Sequence, residues 1–157
     1  MRNLFFIFFY SGAIISQEAA EKGLYTILNF APADYESQPQ NFAIIQDRRG
    51  VIYTGNNGGL LEFDGTSWRL IETPDGVRVR SLCIDSSGTI YVGAVNDFGY
   101  LKPDPSGNLE YNSLIHTVIA DNHYFGDVWK TCASPEGIYF QTYNYIFRWN
   151  GKELKTW

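Results

Sequence analysis

Residues Gly50–Trp68 read GVIYTGNNGGLLEFDGTSW. Apolar and polar residues alternate up to Gly55, stop at a run of glycine and asparagine, alternate again through Leu60–Phe63, and reach Asp64-Gly65 before Trp68. Alternation at period two marks a half-buried strand, and Asp-Gly is a strong hairpin signal. The run Gly55–Gly59 admits two readings, a phosphate cradle or a tight turn between strands. A phosphate loop needs backbone N–H groups at the start of a helix and commonly a following Lys-Ser or Lys-Thr pair. Here the strand pattern resumes at once at Leu60, and the βαβ setting of a dinucleotide fingerprint is missing. The stretch is strand, turn, strand, turn.

The same grammar recurs outward from it. FAIIQDRRGVIYTG (42–55), RSLCIDSSGTIYVG (80–93) and WKTCASPEGIYFQT (129–142) align with Gly50, Gly88 and Gly137 at one position, their starts 38 and 49 residues apart. In the third copy Ile138-Tyr139 sits one residue early relative to Ile52-Tyr53 and Ile90-Tyr91. Each copy has an apolar strand, a polar turn ending in glycine, a second strand, a third apolar stretch and a further turn: Asp64-Gly65, Asp104–Gly107, Asn150-Gly151. A fourth strand follows, SWRLI, LEYNSL and the start of one in KELKTW. Glycine suits a closing turn position that favours positive φ. Four short strands at a period near 40 predict β-propeller blades. A sandwich uses similar strands without needing a sequence repeat, and a β-solenoid is the remaining rival.

The expected fold is all-β, a partial propeller of four-stranded antiparallel blades with about three blades present. The predicted layout is a signal peptide at 1–16, an irregular lead at 17–40, blades at 41–76 and 77–115, an inserted loop at 116–127, and a truncated third blade at 128–157. Propellers close with four to eight blades, so the chain is expected to be a fragment of a larger ring.

The leader reading rests on Arg2, a 12-residue apolar run Leu4–Ile15, and small residues at Ser11, Ala13 and Ser16. Cleavage after Ser16 or after Ala13 both fit. An uncleaved anchor is the alternative, although roughly 20 apolar residues are needed to span a bilayer. Net charge is −5 and no basic run is present, which argues against nucleic acid or an anionic membrane surface as a partner.

Few side chains suggest chemistry. Cys83 and Cys132 share a repeat position with Ile45, which predicts packed thiols; a disulfide, reactivity or metal binding are the other possibilities. His116 and His123, with Asp121 and Asp127, match no standard zinc spacing and read as loop residues. Asp47, Asp85 and Asp64 open turns and are expected to bond backbone N–H groups there. The remaining carboxylates show no pair for glycoside hydrolysis and no calcium loop. No catalytic residue, metal or cofactor is expected. Tyr53, Tyr91 and Tyr139 are assigned to packing between blades, Trp68 and Trp149 to blade edges.

The loop after the second strand occurs three times. It supplies Asn56 and Asn57, then Asn96, Asp97 and Phe98, then Tyr143, Asn144 and Tyr145. Such loops gather on one face of a ring, where amides and aromatics suit a sugar or a peptide. These eight are the candidate ligand-binding residues. Trp129, near Asp127, either reaches that surface or packs in the core.

The pattern D-x-x-G-x-I-Y-x-G followed by G-L-x-x-x-D-G resembles the two-component-regulator propeller repeat. QNFAIIQDRRGVIYTGNNGGLLEFDGTSWRLI, RSLCIDSSGTIYVGAVNDFGYL and FGDVWKTCASPEGIYFQTYNYIFRWNG resemble the first three blades of large sensor proteins of Bacteroidetes-type bacteria. The resemblance spans Leu24–Trp157. It implies an exported sensory propeller on the periplasmic side of the inner membrane. In the family further blades and a triple-tyrosine domain follow, then a membrane helix and a kinase, DNA-binding or phosphatase-type output. The ligand is often a glycan, and no catalytic residue carries over. This chain holds none of those downstream parts. Its third copy also departs from the pattern, with Thr142 where the others have Gly55 and Gly93, and SPEG for D-x-x-G. The expected function is ligand sensing without catalysis; a secreted propeller enzyme acting on polysaccharide and a protein-interaction scaffold are the alternatives.

Overall fold

The computed structural model describes Gly23 and residues 27–115 and 124–157. The predicted leader at 1–16, residues 17–22 and 24–26, and residues 116–123 with both histidines and Asp121 lie outside the described residues. Among the described residues, twelve strands form three four-stranded antiparallel sheets.

The first sheet runs β1 (Asn41–Gln46), β2 (Ile52–Asn56), β3 (Gly59–Phe63) and β4 (Trp68–Ile71) in chain order. The second holds β5 (Val79–Ile84), β6 (Ile90–Ala94), β7 (Phe98–Pro103) and β8 (Leu109–Ser113). The third holds β9 (Lys130–Ser134), β10 (Gly137–Gln141), β11 (Ile146–Trp149) and β12 (Leu154–Thr156). Each is a meander, because the turn signals leave only hairpin connections between neighbours.

The turn aspartates do what their position predicts. Asp47 Oδ1 accepts from the N–H of Arg49 and Val51, Asp85 Oδ1 from Ser87 and Thr89, and Asp64 Oδ1 from Thr66 and Ser67. Gly50 and Gly88 then take φ of 87° and 93°, which glycine reaches without a Cβ clash. In the third copy Ser134 pairs directly with Gly137, so Pro135-Glu136 alone turn the chain. This shorter hairpin is why Ile138-Tyr139 comes one residue early. Tyr139 still lies opposite Cys132, as Tyr53 opposes Ile45 and Tyr91 opposes Cys83.

That register corrects one expectation. Counted from the tyrosines, Gln141 stands where Gly55 and Gly93 stand, and Thr142 begins the next loop. Thr142 Oγ1 accepts from the N–H of Asn144 and Tyr145 there.

The sheets stack face to face. The first strands lie together, β1 on β5 and β5 on β9, whereas the fourth strands β4 and β8 barely meet. This wedge is the blade arrangement of a partial propeller. One core lies between the first two sheets and contains Tyr53, Leu60, Leu82, Ile90 and Val92. The other lies between the second and third and contains Phe98, Val128, Ile138, Phe140 and Phe147, with Tyr91 against it. Tyr53 and Tyr91 therefore pack between blades, whereas Tyr139 faces the outer flank of the third sheet. Trp149 borders the second core.

The described part of the lead is irregular, as expected, and it is docked on the first sheet. Tyr35 is buried, and Phe30 and Tyr35 lie 5.4 and 5.6 Å from Trp68. The thiols are both free, with Cys83 half-buried and Cys132 exposed. Cys132 is not packed because it shares the outward flank with Tyr139. Burial first, then the nearby Cys132 and Asp85, push the Cys83 thiol up to about 12.

Candidate functional site: the inner rim

In each meander the loop after the second strand and the chain leaving the fourth strand lie at the same end of the sheet. The eight candidate residues sit at this end, but in three different situations. Asn56 is completely buried. Its Nδ2 donates to Gln38 O at 2.6 Å and Asn41 Oδ1 at 2.7 Å, and its Oδ1 accepts from Ser37 Oγ at 2.9 Å and Gly58 N at 2.8 Å. It pins the lead to the sheet. Asn57, half-buried, donates its backbone N–H to Gln40 O.

Asn96 holds a left-handed φ of 53° and its Oδ1 accepts from Phe125 N at 2.8 Å, tying the loop to the chain that leads into β9. Asp97 is buried and accepts from Ser113 Oγ at 2.7 Å. Phe98 is fully buried, stacked at 4.4 Å on Phe140. Neither Asn56 nor Phe98 has side-chain surface to offer a ligand. Tyr143, Asn144 and Tyr145 do: they are exposed, Tyr143 to 89%.

Sequence reasoning named Trp129 and Asp127 but missed Phe42 and Arg80, which complete the most organised cluster at this end. In the repeat alignment Phe42, Arg80 and Trp129 occupy one column. The pairing of β1 with β2 skips Phe42 between Asn41 and Ala43, and that of β5 with β6 skips Arg80 between Val79 and Ser81. Both are the extra residue of a β-bulge, a device that re-aims a side chain. The three meet across the inner strands. The Arg80 guanidinium lies 4.1 Å from the Phe42 ring centroid and 5.0 Å from that of Trp129, and Arg80 Nε donates to Asp127 Oδ1 at 2.6 Å. Val95 bridges to Asp127, holding that carboxylate in place.

Each cation–π contact is worth about 0.5–1 kcal/mol when exposed and about 2 when desolvated. With only 12% of its side chain exposed, Arg80 lies toward the stronger end. Its charge is met by Asp127, so the rim is neutral as a unit. Outward it shows the Trp129 ring, 53% exposed, with Tyr124 nearby in the chain at 74%. A flat ring beside a part-exposed carboxylate can stack an apolar face and accept hydroxyl hydrogen bonds. Among the described residues no group of three His, Cys, Asp or Glu is placed to hold a metal ion. The signal for this cluster was available in the sequence, as one repeat column holding Phe, Arg and Trp. No family model and no curated protein matches the chain, so its activity has to be read from this surface.

Proposed function

We propose that the chain is an exported recognition propeller of a signalling receptor, which binds carbohydrate at its inner rim and carries out no chemistry on it. The observation that supports this reading is the Phe42–Arg80–Trp129 row with Asp127. The row fixes an aromatic face at the point where the first strands converge, and rigid aromatic anchors beside satisfied polar groups are what small-ligand sites use. The apolar leader run Leu4–Ile15 supports export, and the resemblance to two-component-regulator propellers supports a sensory role. Signalling would follow from altered packing of these blades against neighbouring domains.

The test is a glycan array followed by calorimetry on the best neutral oligosaccharide. Trp129→Ala is expected to weaken binding roughly 30-fold, about 2 kcal/mol, the loss of an aromatic hot spot. Unchanged affinity in that variant would remove the rim from the proposal. Release of cleaved product from the same glycan would refute recognition without catalysis.

A further inference from the structure

Among the described residues, three that are not glycine hold a left-handed φ: Glu36, Asp75 and Asn96. Such backbone is costly for a residue with a Cβ and persists where the surroundings enforce it, a situation that recurs at ligand clamps. Glycine adopts it freely, so the turn alone does not call for a side chain at Asn96. Of the three, Asn96 is the one whose side chain bonds a distant segment: its Oδ1 accepts from Phe125 N at 2.8 Å, across 29 residues of sequence. Its backbone N–H donates to Gly126 O at 2.7 Å. One residue thus holds the incoming chain at two successive positions before Asp127. On the other side of Asp127, Val128 N donates to Ala94 O at 3.0 Å and Val128 O accepts from Ser81 Oγ at 2.7 Å. Phe125 is buried against Phe98 and Phe147. Asp127 is therefore gripped from both sides, with Arg80 Nε 2.6 Å from its Oδ1.

We propose that Asn96 is a positioning residue for the rim: it acts without touching the ligand, by setting the Asp127 carboxylate and, through Arg80, the Trp129 ring. The inference rests on the reading of the rim as a carbohydrate site and names the group that shapes it. The chain of contacts is continuous. Asn96 holds Phe125 and Gly126, these place Asp127, Asp127 orients the Arg80 guanidinium, and that guanidinium lies 5.0 Å from the Trp129 ring centroid. Without the Asn96 oxygen, the Phe125 N–H beside the core has no acceptor, and a buried donor left unpaired is costly. The segment then shifts to relieve it, and the carboxylate shifts with the segment. The second sheet's loop and the chain entering β9 therefore form one wall of the site.

Asn96→Gly tests the proposal, because it removes the acceptor and keeps the left-handed turn; its urea unfolding midpoint should stay near that of the wild type. In the full chain labelled with 5-fluorotryptophan, fluorine NMR reports Trp68, Trp129, Trp149 and Trp157 separately, and Trp129→Phe assigns the Trp129 resonance. Asn96→Gly is expected to shift or broaden that resonance and leave the other three in place. Its affinity for the neutral oligosaccharides that the wild type binds on a glycan array should fall roughly tenfold, the size of one lost hydrogen bond. An unmoved Trp129 resonance would overturn the proposal, and so would unchanged affinity alongside a moved resonance. Displacement of all four resonances with a large fall in the urea midpoint would also overturn it, Asn96 then serving the fold alone. If the wild type binds no oligosaccharide on the array, the carbohydrate reading fails, and the Trp129 resonance still decides whether Asn96 places the ring.

Discussion

Replacing Gly93 with alanine puts one methyl group where the wedge between the second and third sheets is narrowest. The backbone there is not left-handed, so the cost is purely steric. A Cβ at Gly93 would collide with Ser81 Oγ and lie 2.6 Å from Val128 Cγ1 and 2.7 Å from Thr131 Oγ1. Overpacking of this kind costs about 1–3 kcal/mol. Ser81 Oγ also donates to Val128 O at 2.7 Å and shares a 2.7 Å hydrogen bond with Thr131 Oγ1. Pushing it aside leaves buried hydroxyls unsatisfied, about 1–3 kcal/mol more. The sum, roughly 2–6 kcal/mol, is a large share of the roughly 5–15 kcal/mol that holds a domain together. Urea unfolding followed by tryptophan fluorescence measures it. Gly88→Ala is the control: it meets open space at φ +93° and should cost only about 1–2 kcal/mol of left-handed strain. Ser81→Ala removes the colliding oxygen, so the double variant should cost at least about 1 kcal/mol less than the sum of the singles. Gly93→Ala within about 0.5 kcal/mol of wild type, or strict additivity with Ser81→Ala, would refute the close approach of these strands.

Two further expectations concern the lead and the turns. Asn56→Ala removes four hydrogen bonds, two of which, with Ser37 and Gln38, join the lead to the first sheet, so residues 32–38 should become the first site of limited proteolysis, with a stability loss of about 2–3 kcal/mol; unchanged protease resistance would show that Phe30 and Tyr35 hold the lead without Asn56. For Asp85, burial raises the carboxyl pKa, but the Ser87 hydroxyl and the N–H groups of Thr89, Ser87 and Gly88 outweigh it and the net shift is downward. A depressed folded pKa adds stability that is complete above the unfolded value near about 4 and is lost as pH falls through the lower folded value. Asp85→Asn should therefore lower stability most at neutral pH and least below about pH 4, which flattens the acid limb of the stability curve; an unchanged acid limb would deny the turn bonds their part.

The strands were legible because their signals are local. Val51–Thr54 alternates, Asp47 and Asp85 open turns that Gly50 and Gly88 close, and three copies of one pattern left little freedom of register. What local signals do not carry is the direction of a side chain once sheets stack. Asn56 and Phe98 were assigned to a ligand surface because they flank the loop after the second strand. Both instead point inward, Phe98 because it holds the register position of Leu60. The equivalence of Gln141 with Gly55 was hidden by a hairpin one residue shorter, which shifts a gapless alignment by one residue. The exposure of Cys132 was illegible for another reason: burial of its column depends on a neighbouring sheet, not on the residue.

The repeat itself separates scaffold from surface. Where columns face a neighbouring sheet they hold one kind of residue: Tyr53 and Tyr91, Leu60 and Phe98, Ile90 and Ile138. Packing in a wedge of fixed width permits little else. The column of Phe42, Arg80 and Trp129 breaks that uniformity, holding an aromatic, a cation and a larger aromatic. A column with no packing duty has no reason to place its members in contact, yet these three are stacked, two of them delivered by bulges. Bulges disrupt a ladder and leave a residue unpaired, so keeping one at the same register in successive sheets costs ladder bonding that plain strands would keep. If the row served only to join the sheets, an apolar residue at Arg80 packed between two rings would do so without burying a charge and its partner Asp127. The variant Arg80→Leu thus divides the two roles: a rim that only joins sheets should tolerate it with stability unchanged or raised, whereas a rim that presents Trp129 and Asp127 to a ligand should keep its fold and lose binding, because the carboxylate is no longer held beside the ring.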